Sequence, residues 1–285
     1  MTTSQAYNDF KNALEKIYEP REATTITQWI FENVTGLKRW QIKNSSEEMN
    51  NAHYQILLRY VAQLLLHTPV QYVLNEAWFY KRKFYVNDQV LIPRPETEEL
   101  VEWIINDFKN SKIETPYHIL DIGSGSGCIP ISLKKELPNA KVYGLEVSQT
   151  ALEVLQKNAT DLGADIQLIQ MDFLNEAEWD SLPSYDCIVS NPPYIPIAEK
   201  EILDKNVTDF EPSLALFVQD IRPFIFYEKI SLFAQSHLKR TGKIYVEVHE
   251  EYAKAIQNIF ETAGFKSEIK RDIYGKERMV SAVFI

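Results

Sequence analysis

Cysteine is almost missing: Cys128 and Cys187 are the only two in 285 residues. They lie far apart and lack the short Cys/His spacings that hold zinc, so a disulfide framework and a structural zinc site are both excluded, and no metal ligand is assigned. Such thiol usage fits a reducing cytosol, with both cysteines as small core residues. No apolar run approaches the ~18 residues of a membrane-spanning helix, and Met1 to Tyr18 is polar and helical in period rather than a basic, apolar leader. A cytoplasmic protein without a membrane partner is expected. Excess positive charge is missing as well: Lys+Arg 30 against Asp+Glu 40 gives a formal net charge of −10. Phosphate backbones need a basic surface, so a nucleic-acid substrate is not expected. Internal repeats and low-complexity linkers are also absent.

What is present is an ordinary globular composition, 45% hydrophobic and 25% charged, in a chain long enough for one large and one small domain. Ala6, Phe10, Leu14, Ile17 and Tyr18 have helical spacing up to a stop at Pro20. A second helix is expected from about Thr25, with Ile26, Trp29, Ile30 and Val34 inward and Gly36 as C-cap. Ser45 and Glu48 have capping-box spacing before a helix through Met49, Ala52, Ile56, Tyr60 and Leu64 that ends before Pro69. Residues 1–72 therefore read as a helical bundle, either a stabilising cap or a docking unit. Aromatic and β-branched content rises from Trp78 to Val90, with turn signals at Lys81-Arg82 and Asn87-Asp88, which predicts a β-hairpin linker across 73–92. A helix over Thr97 to Phe108 then enters the larger domain, 93–285.

That domain alternates strands and helices, the pattern of a mostly parallel sheet covered on both faces. Strands are expected at His118–Ile122, Lys141–Glu146, Ile166–Gln170, Tyr185–Ser190 and Lys243–His249, with helices at Cys128–Leu137 and Ser148–Leu162. Lys266 to Ile273 and Arg278 to Ile285 read as a closing β pair joined at Tyr274-Gly275.

The chemistry gathers at the ends of these strands. Asp121-Ile122-Gly123-Ser124-Gly125-Ser126-Gly127 links a strand to a helix, where glycines let a ligand approach backbone at a positive helix end. Glu146 closes the next strand, the position from which an acid grips ribose hydroxyls. The third glycine comes one residue earlier than in G-x-G-x-x-G, a spacing similar to the adenosylmethionine loop of class I methyltransferases. After the third strand, Asp172 can accept from an adenine amino group and Phe173 can stack on the base. Ser190-Asn191-Pro192-Pro193-Tyr194 follows the buried run Tyr185-Asp186-Cys187-Ile188-Val189. Two prolines stiffen the backbone and remove two N–H donors, Asn191 is held extended, and Tyr194 adds an aromatic face. Carbonyl acceptors beside a flat wall suit a planar NH2 on an sp2 carbon.

Pro69-Val70-Gln71-Tyr72, Leu91-Ile92-Pro93-Arg94-Pro95-Glu96-Thr97-Glu98, the glycine loop, Asn191-Pro192-Pro193-Tyr194 and Glu211-Pro212-Ser213-Leu214-Ala215-Leu216 together resemble the peptide chain release factor N5-glutamine methyltransferases, over nearly the whole chain. The resemblance implies an α/β fold: a class I, Rossmann-like methyltransferase domain with a mostly parallel sheet and an antiparallel C-terminal strand, preceded by the bundle and hairpin. It implies S-adenosyl-L-methionine as cofactor and S-adenosyl-L-homocysteine as product, with contacts from Asp121, Ile122, Gly123, Ser124, Gly125, Glu146 and Phe173. It also implies that Asn191 and Pro192, beside Pro193 and Tyr194, hold the glutamine of a Gly-Gly-Gln loop in release factors, modulating translation termination, and it leaves the bundle either to dock them or only to stabilise the fold. Asn75 replaces a usual glycine, Glu146 the commoner aspartate and Phe173 an occasional tryptophan, while 217–223 lacks the family's glycines near the substrate mouth. One rival reading is an N6-adenine or N4-cytosine nucleic-acid methyltransferase, which shares Asn-Pro-Pro-Tyr but needs a basic recognition surface. Others are a noncatalytic module binding a release factor or the ribosome, which the intact glycine loop opposes, and a nicotinamide dehydrogenase.

Overall fold

The computed structural model describes residues 1–110, 116–202 and 204–285. They divide into two units, Met1–Glu76 with Asp204–Phe210, and Ala77–Leu203 with Glu211–Ile285. The first unit is helical, with helices Thr3–Leu14, Pro20–Thr35, Arg39–Asn44, Asn51–Leu64, Val70–Leu74 and Lys205–Thr208. Tyr7, Phe10, Ile30, Phe31, Leu57 and Val61 form its core.

Several helix boundaries and faces differ from the expectation. Pro20 does not merely stop the first helix; it opens the second at its first position, where the missing N–H costs nothing. Gly36 ends that helix in a left-handed conformation, φ 71°, and Trp29, expected inward, is exposed. Ser45 and Glu48 form no capping box. Ser45 is itself the C-cap of Arg39–Asn44, and Asn50 starts the next helix by accepting the N–H groups of Ala52 and His53. The buried stripe there is Leu57, Val61 and Leu64: Leu64 is inward as expected, while Leu57 and Val61 take the places expected of Ile56 and Tyr60. Asn75, with φ 51°, caps Val70–Leu74 in the conformation that makes glycine the usual occupant.

The second unit opens with a short antiparallel hairpin, β1 (Ala77–Phe79) and β2 (Arg82–Phe84). Its turn lies at Tyr80-Lys81, one residue before the expected pair, with φ of 43° and 66°, as a two-residue turn matching strand twist demands. The main sheet contains β3 (His118–Ile122), β4 (Lys141–Glu146), β5 (Ile166–Gln170), β6 (Tyr185–Ser190), β9 (Leu238–Glu247), β10 (Phe265–Arg271) and β11 (Glu277–Phe284). Between β6 and β9 a two-residue parallel pair forms from β7 (Ile195–Pro196) and β8 (Phe217–Val218). The seven strands run in the order β10-β11-β9-β6-β3-β4-β5, and only β11 is antiparallel to its neighbours.

Side-chain alternation explains why β3 and β6 read as unbroken apolar runs. Leu120, Ile122 and Ile188 enter one core, while Ile119, Cys187 and Val189 enter the other, so both faces are buried. Helices Ile225–His237 and Ala253–Thr262, not assigned from sequence, supply Tyr227, Phe233, Ile256 and Phe260 to the first core. Register aligns the strand ends: Ser190 stands opposite Ile122 and Val246. Gly123 and Asn191, which follow β3 and β6, therefore leave the sheet at the level where Glu247 ends β9.

Candidate active site

The strand order reverses between β3 and β6, and in open α/β sheets the crevice at that reversal holds ligands. Here a cavity of about 480 Å³ opens there, within the span of about 300–1,000 Å³ usual for small-molecule sites. Ile122, Gly123, Gly125, Glu146, Asp172, Phe173, Asn191, Pro192 and Pro193, all expected site residues, line it. The wall is completed by residues that sequence reasoning did not place in the cofactor site, chiefly Gln89–Leu91, Pro212–Ala215 and Phe226. Two of these segments flank or belong to motifs already singled out, which was the available signal.

The glycine turn is built for close approach. Gly123 and Gly125 have φ of 78° and 50°, and a Cβ at either would meet nothing within 4 Å, so both present bare backbone to the cavity. Gly127 differs: a Cβ there would stand 2.8 Å from Leu155 Cγ, so its role is packing. Asn158 braces this loop, its Nδ2 donating to the Ser126 and Tyr85 carbonyls at 2.8 and 2.9 Å. Glu146 is fixed before any ligand arrives. Its Oε2 accepts the Gly125 N–H at 3.0 Å and its Oε1 that of Ser148 at 3.0 Å.

Asp121 and Ser124 are buried and do not line the cavity. The Ser124 hydroxyl donates to the Asp121 backbone carbonyl at 3.1 Å, and neither carboxylate oxygen of Asp121 has a hydrogen-bond partner among the described residues. Burial, with a smaller contribution from the like charge of Glu146, pushes the Asp121 carboxyl up to about 7. An unpartnered buried acid next to a glycine cradle fits a ligand carrying positive charge, as adenosylmethionine does. Phe173 stacks on Trp179 with centroids 5.3 Å apart, so its ring is braced at the cavity wall.

Tyr194 is not brought into the cavity wall. Its ring lies 6.1 Å from that of His249 and its hydroxyl 3.5 Å from Glu247 Oε1, while burial and Glu247 raise its pKa above the usual phenol range. Thr97 and Glu247, which sequence reasoning did not single out as site residues, stand behind Asn191. Thr97 Oγ1 donates to Glu247 Oε2 at 2.6 Å and accepts from Asn191 Nδ2 at 3.1 Å.

The seven-stranded order with antiparallel β11, the glycine turn and an acid at the adjoining strand end together are the arrangement of a class I S-adenosylmethionine-dependent methyltransferase. Residues 102–209 match the family model described as Methyltransferase small domain, and residues 5–74 the one described as PrmC N-terminal domain. A release factor glutamine methyltransferase of Flavobacterium psychrophilum is 41% identical, the match covering 96% of this chain and 96% of that one. One of Bacteroides thetaiotaomicron is 36% identical, covering 95% and 96%. A solved 16S rRNA methyltransferase of T. thermophilus, in complex with AdoMet and guanosine, shares the fold at TM-score 0.51 and 16% identity, covering 74% of this chain and 50% of that one. The chain belongs to the release factor glutamine methyltransferase family. No helix among the described residues is long and apolar enough to cross a membrane.

Proposed function

We propose that this chain methylates the side-chain amide nitrogen of the glutamine in the Gly-Gly-Gln loop of release factors, in the cytoplasm, and that the helical unit helps to dock them. The observation that carries this reading is Asn191, which lines the cavity beside Pro192 and Pro193 with its Nδ2 already engaged by Thr97. Its Oδ1 is then the atom left to meet a donor. When bound, S-adenosylmethionine supplies an electrophilic methyl on a sulfonium and leaves as S-adenosylhomocysteine. Gly123, Gly125, Glu146, Asp172 and Phe173, which line the cavity, would hold that cofactor, and the buried Asp121 carboxylate would offset its positive charge.

An amide nitrogen is a poor nucleophile because its lone pair is delocalised, so orientation carries the reaction. Asn191 Oδ1 and the Pro192 carbonyl accept the two amide hydrogens, which aims the nitrogen and sets fixed dipoles against the positive charge that develops on it. The nitrogen gains the methyl and releases one proton to water. Tyr194 supports the loop by packing against His249, rather than by walling the amide. The test is mass spectrometry of a release factor incubated with enzyme and cofactor: a gain of one methyl on the Gly-Gly-Gln glutamine supports the proposal, and an unmodified glutamine with bound cofactor overturns it.

A further inference from the structure

We propose that Thr97 and Glu247 are positioning residues that decide which end of the Asn191 amide faces the substrate. A threonine hydroxyl has one proton and two lone pairs. That proton is committed to Glu247 Oε2 at 2.6 Å, so only lone pairs remain towards Asn191. Those can meet Nδ2, as they do at 3.1 Å, but would repel Oδ1. The carboxylate, through the hydroxyl, thus turns the amide oxygen towards the cavity, the only orientation that offers an acceptor to a substrate N–H.

The machinery is held as a positioning device should be. Thr97 and Glu247 are both buried, 150 residues apart in sequence, one in the first turn of helix Pro95–Lys109 and the other at the end of β9. The Glu247 backbone carbonyl accepts from the buried Tyr227 hydroxyl at 2.9 Å, which fixes the strand end. Around the carboxylate stand Thr97 and Glu96 of the helix, Tyr194 of the loop after β6 and Arg278 of β11. Burial, the dominant influence, pushes the Glu247 carboxyl up to about 7, against the lowering effects of Thr97 and Arg278. Above that pH the carboxylate can only accept, and the hydroxyl is polarised as described. Below it a protonated Glu247 can donate to Thr97, whose own proton is then free to turn towards Asn191 and favour the reversed amide.

This inference rests on the reading of Asn191 as the holder of the substrate amide, and the experiment separates the two. Wild type, Thr97→Val, Thr97→Ser, Glu247→Gln and Asn191→Ala are assayed for methyl transfer to a release factor at saturating cofactor, with cofactor Kd by calorimetry and folding by thermal melting. Thr97→Val should lower kcat about tenfold or more, the scale of one lost hydrogen bond that matters in the transition state, with cofactor Kd within about twofold. Thr97→Ser, which keeps the hydroxyl, should stay within about threefold of wild type. Wild-type kcat should fall as pH drops through about 7, and Glu247→Gln should lower kcat and abolish that acid limb. Wild-type kcat in folded Thr97→Val with an impaired Asn191→Ala overturns the positioning role and leaves the reading of Asn191 standing. Full activity of Asn191→Ala removes that reading itself. Should Thr97→Val fail to fold, a Thr97→Ser as impaired as Asn191→Ala, or an acid limb unchanged in Glu247→Gln, overturns the proposal.

Discussion

Arg94 and Glu211, 117 positions apart, meet at 2.6 Å, and the second oxygen of Glu211 accepts the Ile92 N–H at 3.1 Å. The Glu211 side chain is 1% exposed and that of Arg94 33%, so the acid is buried and its partner reaches water. The pair clasps the two segments on either side of it that line the cavity, Gln89–Leu91 and Pro212–Ala215.

Removing one side of a buried pair leaves the other charge unsatisfied, and the residue to remove is the half-exposed one. Arg94→Ala should weaken the clasp by roughly 1.5–3 kcal/mol, the range for hydrogen bonds to charged groups. The expected result is faster cofactor release and a lower Tm. Stopped-flow dissociation and thermal melting read both, and unchanged rates would show that the two segments are held by packing alone.

Glu146→Ala should weaken cofactor binding by a similar amount, roughly 1.5–3 kcal/mol. Two losses add here: the contacts to ribose hydroxyls, and the anchoring of the Gly125 and Ser148 N–H groups, which shape the glycine turn. The fold should persist, because neither core cluster includes Glu146. Calorimetry with adenosylmethionine checks it; wild-type affinity would remove Glu146 from the site.

Asp121 predicts how the cofactor site responds to pH. Its carboxyl titrates at about 7 in the folded protein against ~3.9 unfolded, so between those values the folded state holds the extra proton. The free enzyme should therefore gain stability as pH falls from about 8 to about 5, the burial cost being fully present only above the folded pKa. A cationic cofactor favours the ionised acid, so its affinity should fall over the same interval. Asp121→Asn should flatten both dependences, as followed by thermal melting and calorimetry across that range; equal slopes in wild type and variant would contradict the assignment.

Sequence reading succeeded where local chemistry decides the structure. The strands His118–Ile122, Lys141–Glu146, Ile166–Gln170 and Tyr185–Ser190 have the expected limits, because polar, glycine and proline residues bound short apolar runs. It failed where two local signals compete, as when Asn50 out-competed Ser45 for a helix start. It also failed where partners are distant. Thr97 was visible as part of a motif, but nothing local pairs it with a glutamate 150 positions on. Tyr194 was legible as an aromatic next to Asn191 and not as a side chain turned towards Glu247, since its direction is set by β9 and the residues after it.

The most discriminating prediction concerns the acceptor and follows from counting donors. A primary amide brings two N–H groups to Asn191 Oδ1 and the Pro192 carbonyl, so each polar atom is satisfied. Asn191 has no second way to serve, because Thr97 already takes its Nδ2. A carboxylate in the same place would bring only acceptors, leaving both protein atoms unpaired and adding repulsion. Sites built on such hydrogen bonds reject the mismatched analogue by about 10⁴-fold or more. Adenine and cytosine amino groups could satisfy the same two atoms, but DNA must first be drawn to a chain of net charge −10, which opposes encounter with phosphates. Transfer of labelled methyl should therefore be strong to a release factor with Gly-Gly-Gln and at background both to its Gly-Gly-Glu counterpart and to DNA. Equal labelling of the glutamate form would refute recognition by paired amide donors, and strong labelling of DNA would move the activity to the nucleic-acid class.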